Sequence, residues 1–354
     1  MTLDRYVLRL FLARTIFAFV VLISLVQVLE LLDVTTQILQ RGLGVAGIGR
    51  YCLLRLPGMF EQICPLGVLV GSLFTFTQMA RTSEMVVIRA TGANIYRVLR
   101  MMAPVAIGVA LLDFGVASEV SPRTQDALVH WMAITAPAAK AKPAKQHWFR
   151  LGKDLILVGA VSEDGGRLTN LRVYRRDAAS QLVQEIAAPL ATPQAGGWRL
   201  HGATTVRVIG ERSISGGPAD MDWATPLTPS TVIRLFRSSD EVTTSVAAGA
   251  LAHATAIDRS PGYYKTRLNR TFAAPIAALV MLLLSAPAAL SSLRSDQGTR
   301  LMLFGLGSGL LFMVADGLLT ALGETSAIPA FLAAWSAPLA FAALAVTVLL
   351  YAEG

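Results

Sequence analysis

One apolar run decides the fold class of this chain: Ile16-Phe-Ala-Phe-Val-Val-Leu-Ile-Ser-Leu-Val-Gln-Val-Leu-Glu-Leu-Leu32. Its only charged side chain is Glu30, which lies at the carboxyl end of the run. A bilayer core is about 30 Å thick, and a helix needs about 20 apolar residues to cross it. With a short extension at both ends, the run therefore predicts a membrane-spanning helix.

Five further apolar runs have comparable length, at about residues 63–80, 98–118, 272–290, 301–322 and 328–351. The sequence thus predicts three spans in residues 1–118 and three in residues 266–354. Residues 119–265 lie between them and form a polar segment. The composition agrees, since 54% of residues are hydrophobic and only 15% are charged, against about 25% charged in soluble domains.

The orientation in the membrane follows from the basic residues. Arginines precede span one, surround the loop between spans two and three, and flank the loop between spans four and five. Because short cytoplasmic loops collect Lys and Arg, these three regions are predicted to lie in the cytoplasm. The segment 119–265 is then outside, together with a loop carrying Arg41, Arg50 and Arg55, which runs against the trend. Part of the net charge of +8 is thereby a topology signal, and no aromatic-interleaved basic stripe indicates nucleic-acid binding.

The middle segment has the pattern of a β-sheet. Residues 154–161 form an apolar run that ends in a Gly-rich turn, and residues 168–174 alternate as a half-buried strand does. Residues 181–187, 197–201 and 204–209 continue the pattern, which is typical of a sandwich or an open barrel. Residues 136–145 are rich in Ala, Pro and Lys and are predicted to be a flexible connection.

Motifs for bond-making chemistry are missing from the sequence. It contains neither a phosphate-binding G-x-x-x-x-G-K-[ST] loop nor an H-E-x-x-H or paired-cysteine metal motif. The four histidines are scattered through the middle segment and are interpreted as ordinary surface or strand residues. No catalytic, cofactor-binding or metal-binding residue is predicted, and the two cysteines, Cys52 and Cys64, are expected to be unpaired.

Acidic residues near membrane depth carry more information. Ionisable groups in membrane segments are costly and usually face a bundle interior or a water-filled cavity. Glu30, Asp33 and Glu61 are expected at the membrane interface. Asp113 and Asp316 lie inside spans three and five and are expected to face a polar cavity or a partner.

A short segment between spans two and three has the features of a docking helix: Arg81-Thr-Ser-Glu-Met-Val-Val-Ile-Arg-Ala-Thr-Gly92. Ser83 suits a helix N-cap and Glu84 suits the first turn, while Gly92 suits a left-handed C-cap. A cytoplasmic helix over about residues 82–92 is predicted, followed by Asn94 as the cap of span three. Such a helix fits either the groove of a peripheral protein or the lipid interface.

These residues resemble the lipopolysaccharide export permease family, LptF and LptG, and resemble the LptG branch more. The resemblance covers essentially the whole chain, and the segment 81–92 is its most specific part. The other matching pieces, in the order of the family, are Leu3-Asp-Arg-Tyr6, Ser121-Pro122, Gly197-Trp-Arg-Leu200 and Leu293-Arg-Ser295.

The resemblance implies an α-helical bundle of six membrane helices with an inserted periplasmic jellyroll-like β domain, in the inner membrane of a Gram-negative bacterium. It implies an LptF-type partner subunit, an LptB-type ATPase dimer that binds the ATP, an LptC-type bridge protein, an LptA-type periplasmic protein, and lipopolysaccharide as the substrate. The chain itself would be a transport subunit without enzymatic activity.

The resemblance also implies residue roles. The residues expected to couple to the ATPase are Arg81, Ser83, Glu84, Met85, Ile88, Arg89 and Gly92, with Met85 and Ile88 supplying apolar contact. Spans one and five would form lateral gates, and the residues expected to line the substrate cavity or gate are Glu30, Asp33, Gln37, Arg41 and Asp316.

One position departs from the family. Where enteric LptG has a lysine at the outer end of span one, this chain has Glu30. A carboxylate repels phosphate, so that contact is not carried over, and Arg41, Arg50 or Arg55 would supply the positive charge instead. Three alternatives stay open: the LptF-type subunit, a membrane-anchored assembly scaffold, and a membrane enzyme acting on lipid or peptidoglycan.

Overall fold

The computed structural model describes residues 3–90, 94–135, 146–162, 165–177, 179, 181–209, 212–236, 244–252, 259–290 and 296–353. The chain divides into two compact units. A helical unit comprises Met1–Gln125 and Lys265–Gly354, and a second unit comprises Asp126–Tyr264.

Within these described residues, six helices are long and apolar enough to cross a membrane, which confirms the predicted number of spans. The helices of the helical unit are α1 (Leu3–Gln40), α2 (Gly44–Arg81), α3 (Glu84–Ala90), α4 (Ile95–Gly115), α8 (Pro261–Leu290), α9 (Asp296–Glu324) and α10 (Ala330–Glu353). The fourth span begins earlier than its apolar run, because the helix starts at Pro261 and carries two arginines in its first three turns.

The first two spans form a long helical hairpin. Each has 38 residues, or about 57 Å at 1.5 Å per residue, well beyond the hydrocarbon thickness. The turn between them is confined to residues 41–43, where Gly42 has a φ of +73°. The loop predicted to carry Arg50 and Arg55 is therefore helical, because the α2 pattern continues through Pro57 without a break.

Close packing of this hairpin depends on two glycines four residues apart. A Cβ on Gly71 would lie 2.7 Å from Thr15 Cα, and one on Gly67 would lie 2.6 Å from the Phe19 ring. Small residues at this spacing let membrane helices approach closely. The core of the bundle then forms where α1, α2 and α4 meet, around Phe11, Phe76 and Met102.

The third span continues past the predicted boundary at residue 118. A π-helical turn, Val116–Val120, directly connects α4 to α5 (Ser121–Ile134). The sequence led us to expect a β-rich segment from residue 119 onward. Instead, residues 119–134 are helical. The predicted flexible connection at 136–145 lies outside the described residues.

The described residues of the second unit include eight strands: β1 (His147–Leu151), β2 (Asp154–Val158), β3 (Ala160–Val161), β4 (Leu168–Arg176), β5 (Leu182–Gln194), β6 (Gly197–Ile209), β7 (Arg212–Ser215) and β8 (Ala219–Ala224). They form one antiparallel sheet in the order β1-β2-β4-β5-β6-β7, with β3 also paired to β4 and β8 also paired to β6. The two predicted strands 197–201 and 204–209 are one strand, β6.

The core of this unit is the covered face of the sheet. Trp198 and Trp223 lie opposite each other on β6 and β8 and are both buried. Trp198 Nε1 donates a 2.7 Å hydrogen bond to the carbonyl of Leu227, which precedes α6 (Pro229–Phe236). Val232 and Leu235 of α6 complete this core, while α7 (Thr244–Leu251) packs on Tyr263 and Tyr264.

Candidate functional site

The predicted docking segment forms a helix that begins two residues later than expected. Helix α3 begins at Glu84, and the carbonyl of Ser83 accepts the backbone N–H groups of Val86 and Val87 at 3.1 and 3.3 Å. Ser83 itself has a φ of +59°, a left-handed conformation that turns the chain sharply after Arg81, the last residue of α2. Gly92 and the side chain of Arg89 lie outside the described residues.

The two faces of α3 differ in their exposure. Met85 and Ile88 are 5% and 4% exposed and belong to the core of this chain's own bundle. Their side chains pack into this core, and their expected apolar contact with an ATPase stays a prediction. The apolar side chains turned outward are Val86 and Val87, which are 66% and 64% exposed.

Glu84 connects α3 to the start of the chain. Its Oε1 accepts a hydrogen bond from the Tyr6 hydroxyl at 2.9 Å. Its Oε2 is buried and has no hydrogen-bond partner among the described residues. The next element is fixed as predicted, since Asn94 Oδ1 accepts the backbone N–H of Ile95 and caps α4.

At the opposite end of α1, Glu30 forms a bidentate ion pair with Arg55 of α2. Arg55 Nη2 lies 2.9 Å from Glu30 Oε1, and Arg55 Nε lies 3.0 Å from Oε2. The Tyr51 hydroxyl donates to the same carboxylate at 3.2 Å. Arg55 therefore balances the charge of Glu30. It is one of the three arginines expected to replace the missing lysine, and its guanidinium already has a carboxylate partner.

The other residues expected near the substrate follow Glu30 along α1. Asp33 and Gln37 are exposed, and Arg41 is half-buried in the turn. Their spacing of three to four residues puts them on one side of the helix. Glu30, Asp33 and Gln37 therefore share one face of α1, and Arg41 follows in the turn after the helix.

Asp316 lies elsewhere, in a polar cluster made by the first turns of α8. Arg270 Nη2 lies 3.1 Å from Asp316 Oδ2, and its Nη1 donates to Thr320 Oγ1 at 2.8 Å. Arg267 Nη2 lies 3.4 Å from Glu61 Oε1. Sequence reasoning missed these two arginines. A signal for them was present, because buried acids need charged partners and both arginines lie directly before an apolar run.

Asp113 is buried in the same bundle. Its side chain lies beside the Cys64 thiol, and its Oδ1 has no hydrogen-bond partner among the described residues.

The second unit carries a hydrogen-bonded chain that sequence reasoning also missed. Thr192 Oγ1 lies 3.0 Å from His201 Nε2, and His201 Nδ1 lies 3.2 Å from Asp220 Oδ2. The N–H of Gly202 donates to Asp220 Oδ1 at 2.9 Å. These hydrogen bonds hold the pKa of Asp220 below its ordinary value, with the Gly202 N–H as the larger cause. The chain joins strands β5, β6 and β8 at the bulge that Gly202 makes with a φ of +59°.

A groove of about 460 Å³ lies on the same sheet. It is lined by apolar side chains, including Leu157, Ala187 and Pro189, and by the polar side chains of Arg172 and Thr204. The lining of this groove is thus mixed, with polar and apolar side chains next to each other.

Comparison with known proteins identifies the family. The family described as "Lipopolysaccharide export system permease LptF/LptG" matches residues 5–351. The lipopolysaccharide export system permease protein LptG of Escherichia coli (strain K12) is 23% identical over 338 residues, which are 94% of this chain and 93% of that protein. LptG of Haemophilus influenzae is 23% identical over 337 residues, 92% of this chain and 91% of that protein. With six membrane helices around an inserted β-sheet unit, the chain belongs to the LptF/LptG family of lipopolysaccharide export system permeases.

Proposed function

We propose that this chain is the LptG-type subunit of an ATP-driven exporter that extracts lipopolysaccharide from the inner membrane and passes it toward a periplasmic β bridge. In this proposal an LptB-type ATPase dimer binds α3 from the cytoplasm. An LptF-type subunit completes the membrane pair, and LptC-type and LptA-type proteins continue the β unit in the periplasm. The LptG names of the relatives favour this branch over LptF.

The construction of α3 is the observation that carries the proposal. A helix that transmits force has to be rigidly attached on one side and open to its partner on the other. Met85 and Ile88 provide the attachment, while Val86 and Val87 are open. Glu84 adds a further attachment, because its Oε1 accepts a hydrogen bond from the Tyr6 hydroxyl of α1.

The uncovered helices support a paired subunit. In the most apolar stretch of α1, only 17% of the residues are buried within the chain. The corresponding share is 28% in α9 and 61% in α2. Helices α1 and α9, spans one and five, are thus available for a second permease subunit and for lipid between them. Asp33, Gln37 and Arg41 would then border the cavity near the substrate's polar head.

The energetics require a covered path. Moving acyl chains into water costs about 0.8 kcal/mol per CH₂ group, so several chains exceed what one ATP supplies. The apolar cavity between paired subunits and the groove on the sheet would keep the chains covered. This chain would transmit work and leave the hydrolysis of ATP to its partner.

Co-isolation tests the proposal. The full chain, expressed with its neighbours in mild detergent, should retain an ATPase, and Glu84→Arg should reduce that retention strongly while the membrane unit stays folded. Asp33→Arg makes the same charge change at the opposite end of α1 and serves as the control. Equal retention in Glu84→Arg and wild type would refute the coupling role, whereas lipid modification without any ATPase would favour the membrane enzyme.

A further inference from the structure

Helices α1 and α4 enclose a basic groove at the end of the bundle that carries α3. Its volume is about 450 Å³, and its lining residues are Asp4, Arg5, Leu8, Arg97, Arg100, Met101 and Pro104. Within the part of the chain that the structure describes, none of the three guanidinium groups forms an ion pair. The groove therefore presents three positive charges and one negative charge, and it can accept an anion.

Apolar side chains continue the groove along both helices. At 100° per residue, Leu12 and Ile16 follow Arg5 and Leu8 on one face of α1, and both are exposed. This face of α1 thus begins with a basic residue and continues with exposed apolar side chains. We call such a face a stripe.

Helix α4 repeats this order. Ile107 and Leu111 follow Arg97, Arg100 and Pro104 within one face, and both are exposed. Because α1 packs against α4, the basic ends of the two stripes meet in the groove. We call the groove together with its two apolar stripes the track.

We propose that this groove binds an anionic phospholipid of the membrane leaflet on the α3 side. Its phosphate would lie among Arg5, Arg97 and Arg100, which can bind phosphate oxygens bidentately. Its acyl chains would lie along Leu12, Ile107 and Leu111. An acidic peptide would match the arginines but has no use for the apolar track, so the track selects a lipid. The assignment of this leaflet to the cytoplasmic side rests on the proposed function.

This site is distinct from the substrate path, because it lies at the opposite end of α1 from Glu30 and Arg41. It is adjacent to the coupling segment, since Tyr6, which binds Glu84, directly follows Arg5. A bound lipid would neutralise the groove and hold α1 against α4 where force from the ATPase arrives.

The test uses the full chain with its co-isolated subunits in nanodiscs of phosphatidylcholine, with and without phosphatidylglycerol. Native mass spectrometry then counts the phosphatidylglycerol molecules that remain bound after transfer to neutral detergent. Loss of one arginine should weaken retention about fivefold, given about 1 kcal/mol per basic residue at an anionic surface. Arg100→Gln is the main variant. If Arg100→Gln fails to assemble, Arg100→Lys is used instead, because it keeps the positive charge and the topology signal.

Two controls make the outcome decisive. Arg14→Gln removes one positive charge from the face of α1 opposite Arg5 and should leave retention unchanged. Leu111→Asn leaves the arginines intact and should weaken retention if acyl chains follow the track. The proposal is overturned if Arg14→Gln and Arg100→Gln act equally, or if inorganic phosphate displaces the ligand and Leu111→Asn has no effect. It also fails if Arg100→Gln releases the ATPase while lipid retention is unchanged. Wild-type lipid retention without a bound ATPase would instead count against the coupling role alone.

Discussion

Tyr6 and Glu84, 78 positions apart in the sequence, are joined by a 2.9 Å hydrogen bond from the Tyr6 hydroxyl to Glu84 Oε1. Both belong to the segments that carry the family resemblance, so two motifs that look independent in the sequence form one structural unit. The bond ties the first turn of α3 to the first helix, while Met85 and Ile88 tie the same turn to the core. Force applied at α3 therefore reaches α1 directly.

Tyr6→Phe should weaken this connection without removing an apolar contact. The bond is exposed, so we expect a stability loss of only about 0.5 kcal/mol but a clear reduction in substrate-stimulated ATP hydrolysis by the complex. Tyr351→Phe removes a hydroxyl from a highly exposed tyrosine and is the matched control. Unchanged coupling between export and hydrolysis in Tyr6→Phe would show that the bond carries no force.

The two faces of α3 should separate docking from folding. Val86→Asp with Val87→Asp should abolish retention of the ATPase while changing the melting temperature little, because exposed substitutions seldom exceed about 0.5 kcal/mol. Met85→Ala should cost about 2–5 kcal/mol, since it leaves a cavity in the bundle core. Thermal unfolding and pull-down, measured on both variants, check this. A stable Met85→Ala chain that loses the ATPase would return Met85 to the contact surface.

Sequence reasoning predicted the spans correctly because each is a long apolar run, and a bilayer permits few alternatives to a helix. It placed Asn94 correctly because capping depends on neighbouring backbone alone. It did not show which side of α3 is buried, because a short helix with several consecutive apolar side chains has two possible inner faces. Which face is buried depends on contacts with distant residues such as Phe76 and Val98.

The same reason explains the polar contacts that were missed. Glu30 has Arg55 as its partner 25 positions away, and Asp316 has Arg270. Periodicity identifies charged residues at membrane depth, but the pairing depends on how helices are set against one another. The boundary at residue 118 was misplaced because the helix continues through a polar sequence, where no apolar run marks it.

The ion pair between Glu30 and Arg55 should behave as a unit. Arg55→Gln leaves a carboxylate inside the hairpin, and Glu30→Gln leaves a guanidinium, so each single variant should lower the melting temperature. The double variant should recover most of the loss, with a coupling energy of about 1–2 kcal/mol for a bidentate pair. Additive losses in a double-mutant cycle would contradict the pairing. Arg50→Gln, on the same helix, provides a charge-matched comparison.

Close approach of the first two spans should make Gly71 intolerant of a side chain. Gly71→Val would place methyl groups against the Thr15 backbone and should cost about 1–3 kcal/mol or more through overpacking. Gly108→Val in α4 is the control, because a Cβ there meets nothing within 4 Å. Thermal unfolding in detergent should separate the two variants. Equal melting temperatures would mean that α1 and α2 can move apart by more than the width of a methyl group without a loss of stability.

Asp220 should give the β unit an acid-dependent part of its stability. Since its folded pKa is lowered by the Gly202 N–H and by His201, the fold favours the carboxylate form. This contribution is fully present above the ordinary aspartate pKa of about 3.9 and is lost as the pH falls through the lower folded value. Asp220→Asn should therefore be less stable than wild type near neutral pH and should lose less stability on acidification. Tryptophan fluorescence of the full chain, to which the buried Trp198 and Trp223 contribute, reports the unfolding of the β unit when it is compared with a Trp198→Phe, Trp223→Phe background. Asp222→Asn, two residues along β8 and exposed, should follow the wild-type profile; an identical profile in Asp220→Asn would remove the hydrogen-bonded chain from the account of β5, β6 and β8.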